Sequence, residues 1–191
     1  LENGWTKFVF SSTAAIYGNP VTERIREDHP KNPINVYGQT KLAMEQLLES
    51  TCKANAINAV CLRYFNAAGA SSDASIGEAH DPETHLIPNA LKAASGTGQP
   101  LTVFGDDYLT PDGSCIRDYI HVEDLADGHL KAMVYLQTHK GFTAFNLGNG
   151  QGFSVKEVLS ACERVAGRKI PHTIGARRAG DPVTLVADAG R

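Results

Sequence analysis

At 191 residues the chain is long enough for one domain with a full core. Hydrophobic residues make up 42%, the mean hydropathy is -0.23, and no apolar run approaches the roughly 18 residues of a helical membrane span. The net charge of -3, without a basic block, argues against nucleic acid or an anionic membrane as partner. The first residues show no basic-then-apolar signal pattern. Cys52, Cys61, Cys115 and Cys162 are widely scattered, three of them inside apolar patterns. That favours reduced, packed thiols in a cytoplasmic protein over a disulfide frame or a zinc site.

The first short apolar run, Lys7 to Phe10, predicts a buried strand that delivers the hydroxyls of Ser11, Ser12 and Thr13 to a site at its C-terminal edge. From Gly18 to Pro33, prolines and the charges of Glu23, Arg24, Arg26, Glu27 and Asp28 predict a surface loop. A helical pattern follows from Tyr37 to about Asn55, with Ala43 and Leu47, and Met44 and Leu48, paired at i,i+4. Tyr37 and Lys41 project from one face of that helix. A free phenol, with a pKa of about 10, is a poor base at neutral pH. A neighbouring ammonium favours the phenolate, and a hydroxyl such as that of Thr13 can bridge the phenol to a substrate oxygen. Strand-end hydroxyls facing a Tyr and a Lys therefore predict a proton-transfer unit.

The run from Asn58 to Asn66 predicts a second buried strand, ended by Ala67-Ala68-Gly69. Residues Ser71 to Thr84 predict a long polar loop. Within it His80, Asp81, Glu83 and His85 have no recognisable ligand spacing, and no metal site is expected. A helix from Leu86 to Ala94, a strand from Leu101 to Phe104, a loop from Gly105 to Gly113 and a strand from Cys115 to Ile120 follow. Val122, Leu125, Ala126, His129, Leu130, Met133 and Val134 form an amphipathic stripe, with His121, Glu123 and Asp124 capping that helix. After a strand from Ala144 to Leu147, Ser154 and Glu157 form a capping box. The apolar face of that last helix is Val155, Val158, Leu159, Cys162, Val165 and Ala166, closed by Gly167. A final strand runs from Lys169 to Ile174. Strands separated by helices predict a parallel sheet with crossovers, with a smaller substrate-binding part laid over it. No Gly-x-Gly-x-x-Gly turn to cradle a dinucleotide phosphate occurs anywhere.

Ser11-Ser-Thr-Ala-Ala-Ile-Tyr-Gly18, the Tyr37 and Lys41 pair, Leu62-Arg-Tyr-Phe-Asn-Ala-Ala-Gly69, Arg117-Asp-Tyr-Ile-His-Val-Glu-Asp-Leu-Ala126 and Phe145-Asn-Leu-Gly-Asn-Gly150 resemble the extended short-chain dehydrogenase/reductases. The resemblance covers essentially the whole chain in unbroken order. It implies an α/β fold: a partial Rossmann-like parallel sheet with helices on both faces, plus a smaller α/β substrate-binding part. Residues 1–68 would be the C-terminal half of the NAD-binding domain, and 69–191 mostly the UDP-sugar-binding part, with about 115–150 returning to the Rossmann sheet. The family's Gly-rich turn lies in an N-terminal part that has no match here. The resemblance thus implies an internal fragment, also lacking the C-terminal tail, with little turnover of its own.

The activity implied is inversion of C4 in a UDP-hexose, with NAD used and regenerated in each turnover. In that resemblance Tyr37 is the base, Lys41 supports it and holds the nicotinamide ribose, and Thr13 is the catalytic hydroxyl. Ser11, Ser12, Tyr64 and Phe65 match positions beside the cofactor. Asn66, Arg117 and Arg178 match contacts to the diphosphate, Asp181 a contact to the uridine ribose, and His85, Leu86 and Phe104 the surroundings of the uracil. Leu185 matches a gatekeeper beside the sugar 2-substituent, where a large Tyr excludes N-acetyl sugars and a small residue admits them. The 4,6-dehydratases of the family carry an Asp-Glu pair directly after the catalytic Thr, and the glucuronate decarboxylases a Glu at the second position. Here those positions are Ala14 and Ala15, which carry no protons. Epimerases and simple reductases remain, and Arg177-Arg-Ala-Gly-Asp181 favours the former. A catalytically silent NAD- or UDP-sugar-binding module is the alternative, against which stand Thr13, Tyr37 and Lys41. The family also implies a homodimer through the Tyr37 helix, with Leu42, Gln46 and Glu49 as contacts.

Overall fold

The computed structural model describes residues 4–191. Strand β1 (Lys7–Thr13) runs parallel to β2 (Asn58–Tyr64), and β2 runs parallel to β6 (Phe142–Leu147). β1 continues past Phe10 through its three hydroxyl residues, because Ser11, Ser12 and Thr13 still face Leu62, Arg63 and Tyr64 across the ladder. β2 is the central strand and is covered on both faces. Val60 and Leu62 pack with Ala132 and Leu136 of α3 (Val122–Thr138), while Arg63 turns the other way to Glu45 of α1 (Val36–Ala54). Two covered faces explain why this strand reads as a nearly continuous apolar run.

The expected strand from Asn58 to Asn66 is split at Phe65. Phe65 donates its N–H to Leu147 O and buries its ring with Ala14, Ile16 and Tyr17. The chain then crosses to a second sheet as β3 (Asn66–Ala68), parallel to β5 (Ile116–His121). β5 also pairs antiparallel with β7 (Gly152–Ser154) and parallel with β9 (Thr184–Leu185), two short strands the sequence pattern did not announce. A third, parallel pair joins β4 (Leu101–Phe104) to β8 (His172–Gly175). β8 begins after Lys169 because Ile170 is spent on the core and Pro171 has no N–H to donate.

Helices α2 (Leu86–Ser95) and α4 (Val155–Ala166) close over the third sheet, with Ala90, Ala93, Leu101, Val103, Val158, Leu159, Cys162 and Ile170 buried together. Ser154 and Glu157 form the capping box in both directions, and Gly167 ends α4 in the left-handed region. Val165 lies off the buried face and is 84% exposed. In α3 the inward stripe is Leu125, Ala132 and Leu136, whereas Leu130, Met133 and Val134 are exposed. Small residues chose that face: a Cβ at Gly128 would come within 3.0 Å of Leu147, so the helix lies close to β6. All four cysteines are free thiols, three of them buried, and burial pushes the Cys61 thiol up to about 12. No described helix is long and apolar enough to cross a membrane.

Candidate active site

The hydroxyl-bearing end of β1 runs into a single turn of 3-10 helix, Ala14–Tyr17, for which Thr13 is the N-cap. Its Oγ1 accepts the Ala15 N–H at 3.2 Å. The first turn of α1 leans directly on this turn. Asn35 caps α1 by accepting the Gly38 N–H at 2.8 Å, and a Cβ on Gly38 would lie 2.5 Å from Ala15 O. Only glycine allows that approach, and Tyr37 and Thr13 line one cavity of about 850 Å³. One turn on, Lys41 donates from Nζ to Ser11 O at 2.9 Å and stands 5.7 Å from the centroid of the Tyr37 ring.

The same cavity is lined by Tyr64, Phe65 and Asn66 from the seam between β2 and β3. Ala14, Ala15, His85, Arg117, Asp181 and Leu185 complete the predicted residues on its wall. Arg117 and Asp181 form an ion pair at 3.6 Å, with the guanidinium largely buried. Arg117 and Leu185 are register partners across β5 and β9. That register is held by Asp118, fully buried, whose carboxylate accepts the N–H groups of Asn149, Gly150 and Ala187 at 2.9–3.0 Å.

Six predicted residues stand differently. Ser12 borders the cavity, but its hydroxyl points away and donates to Glu45 at 2.5 Å. Ser11 and Lys41 sit behind the wall rather than on it. Leu86 lines a small side pocket shared with Asn66 and His85. Phe104 and Arg178 are outside the lining and pair with each other, the guanidinium 4.0 Å from the ring centroid.

Two groups at the site escaped sequence reasoning. His129 lies 2.6 Å from the Tyr64 hydroxyl and 3.2 Å from Ser11 Oγ, and Tyr64 itself donates to Ser11 at 2.9 Å. Burial pushes the Tyr64 phenol up, against the Ser11 hydrogen bond. The only signal for His129 was its place in a helical stripe. The second group is a buried network beneath the site. Arg63 donates to both Glu45 oxygens, to Tyr17 Oη at 2.8 Å and to Glu27 O, and Tyr17 donates to Asn146 at 2.6 Å.

The donor set fits one end of a dinucleotide, its nicotinamide ribose. Lys41 uses one of its three N–H bonds on Ser11 O. Two donors remain for the diol of a ribose.

Residues 1–148 match the model of the NAD dependent epimerase/dehydratase family. The chain belongs to that family. It is 53% identical over 189 residues to the UDP-glucose 4-epimerase of Halalkalibacterium halodurans, covering 99% of this chain and 57% of that protein. Among solved structures it is similar to UDP-glucose 4-epimerase from Brucella ovis in complex with NAD, with a TM-score of 0.92 and 50% identity over 97% of this chain and 57% of that one. The enzyme from Bifidobacterium longum, in complex with NAD+ and UDP, gives a TM-score of 0.92 at 42% identity, with 97% and 56% covered. The chain therefore spans little more than half the length of these relatives.

Proposed function

We propose that this chain carries the proton-transfer and sugar-nucleotide-binding residues of an NAD-dependent enzyme that epimerises UDP-hexoses at C4, interconverting UDP-galactose and UDP-glucose. The observation that carries this reading is that Thr13 and Tyr37 line one cavity, with Lys41 Nζ 5.7 Å from the Tyr37 ring and only Ala14 and Ala15 where a dehydratase needs an acid and a base.

Tyr37 takes the proton of the sugar 4-hydroxyl through or beside the Thr13 hydroxyl, and returns it after the ring has turned in the cavity. Lys41 favours the phenolate and holds the nicotinamide ribose with its remaining donors. NAD, when bound, supplies a reversible hydride acceptor for C4. Ser11, Ser12, Tyr64 and Phe65 flank the nicotinamide end. Asn66, Arg117 and Arg178 hold the diphosphate, for which guanidinium is the fitting cation. Asp181 accepts from the uridine ribose, and His85, Leu86 and Phe104 surround the uracil. Residues 1–68 serve the cofactor and 69–191 mostly the substrate. Of the stretch 115–150, β6 supports the return by pairing with β2 in the first sheet, whereas β5 pairs in the second.

Proton NMR of the C4 configuration, run with NADH absorbance on the complete polypeptide carrying this sequence, tests the reading. Conversion of UDP-galactose to UDP-glucose without net NADH, abolished by Tyr37→Phe, is the expected result. Accumulating NADH or a keto sugar would move the protein to a dehydrogenase branch. Bound UDP without turnover would leave a silent binding module.

UDP-N-acetylglucosamine stands as a second substrate, because the gatekeeper position on the cavity wall holds Leu185, intermediate between the excluding Tyr and an admitting small residue. We also place the protein in the cytoplasm, as a homodimer through α1. Leu42 is not a contact in that reading, since it packs inward beside Ile16 and Phe65. Met44 and Leu47 are the exposed apolar side chains there, together with Gln46. Leu47→Arg is expected to shift sedimentation from dimer to monomer; a dimer unchanged by it would place the interface elsewhere.

A further inference from the structure

The loop between β3 and α2 brings together four side chains that their sequence spacing keeps apart. We propose that Glu78, His80, Glu83 and His85 form a binding site for a first-row divalent cation of the zinc class at the rim of the large cavity. One donor atom from each of the four lies within 4.8 Å of all the others. His80 Nδ1 stands 2.7 Å from Glu78 Oε1, His85 Nδ1 reaches the same oxygen, and Glu83 Oε1 is 3.4 Å from His85 Nδ1. Tetrahedral zinc holds nitrogen and oxygen ligands at about 2.0–2.1 Å, so its ligands sit about 3.4 Å from one another.

Charge and burial both point to a cation. With neutral imidazoles, as ligation requires, the four side chains carry two negative charges. Glu83 has a side chain only 5% exposed and is held in place by its own backbone neighbours, with Oε1 accepting the N–H groups of Thr84 and His85. Its Oε2 is buried with no hydrogen-bond partner among the described residues, and the nearest ammonium, Lys92 Nζ, is 4.0 Å away. Buried carboxylate oxygens are rarely left so, and a dication held by both Glu83 oxygens would supply the missing partner. His80 and His85 are more than half exposed, so the ion has an open approach. Two imidazoles with two carboxylates suit zinc and its first-row neighbours, whereas magnesium and calcium prefer oxygen alone.

Glu78, His80 and His85 also line the cavity, so an ion here would fix the loop that borders it. The site does not rest on the proposed epimerase chemistry.

The test strips the complete polypeptide of metal and titrates zinc against a chromophoric chelator, with cobalt absorption reporting the geometry. One equivalent bound, with tetrahedral cobalt bands, is expected. His80→Ala and Glu78→Gln should each weaken binding by about ten-fold or more, with the circular dichroism unchanged. His172→Ala, a remote exposed histidine, should leave binding as it was. Absence of stoichiometric binding would overturn the site. So would binding that survives both loop substitutions, or that falls equally with His172→Ala and so reports adventitious surface histidines.

Discussion

The guanidinium of Arg63 meets the carboxylate of Glu45 at 2.7 Å, with the two side chains only 1% and 2% exposed. Because Glu45 lies one turn beyond Lys41 on α1, and also accepts from Ser12 at the end of β1, the pair sets how α1 lies on the sheet. Removing one partner leaves a buried charge alone. Arg63→Leu or Glu45→Ala is expected to cost about 3–5 kcal/mol in denaturant unfolding. Glu45→Met with Arg63→Met together should cost less than the sum of Glu45→Met and Arg63→Met measured singly. Strict additivity would mean that the pair is not coupled.

Gly38 is the point where α1 touches the turn that carries Thr13. A methyl group there would sit 2.5 Å from Ala15 O and 2.9 Å from Pro33 Cβ, both poorly able to yield. Gly38→Ala should destabilise by about 1–3 kcal/mol and shift the first turn of α1, which carries Tyr37. In steady-state assays kcat should fall more than the affinity for UDP. Equal stability of the variant in unfolding would refute the close approach.

Burial, opposed by the neighbouring Arg63, pushes the Tyr17 phenol up from 10.0 to about 12. A folded value above the unfolded one gives stability that is fully present below pH 10 and is lost as pH rises toward 12. Tyr17→Phe should therefore flatten the fall in stability across that window. It should also lower stability at neutral pH, since Asn146 Oδ1 and one Arg63 N–H lose their partner. Parallel pH profiles for the two proteins would count against this account.

Sugar preference is expected to turn on Leu185. Leu185→Tyr should reduce kcat/KM for UDP-N-acetylglucosamine at least ten-fold relative to UDP-glucose, as a loss of about 1.4 kcal/mol or more in the transition state. Leu185→Ala should raise the same ratio. An unchanged ratio in both would remove Leu185 from the sugar site.

The parts of the site that could be read from residues alone were those whose chemistry is local. Tyr37 and Lys41 share a face by helical spacing, and the Ser154 and Glu157 box is contained in four residues. What could not be read depends on partners far along the chain. A Glu at position 45 of an amphipathic helix reads as solvated until a strand 18 residues later brings Arg63 against it. The same holds for α3, where Gly128 and Ala132 face the sheet because they are small, a choice that hydrophobicity does not reveal. Glu78 and His85 meet only through the path of an irregular loop, which leaves no periodic trace.

β9 is two residues long, and such a strand would ordinarily slip with little resistance. A slip by one position would present Thr184 or Val186 opposite Arg117 instead of Leu185. The buried Asp118 forbids this by gripping the Ala187 N–H two residues downstream. Position 185 can therefore change by single replacement without moving the register, while insertions or deletions between Asp181 and Ala187 would break the grip. The segment is free to vary in chemistry and constrained in length.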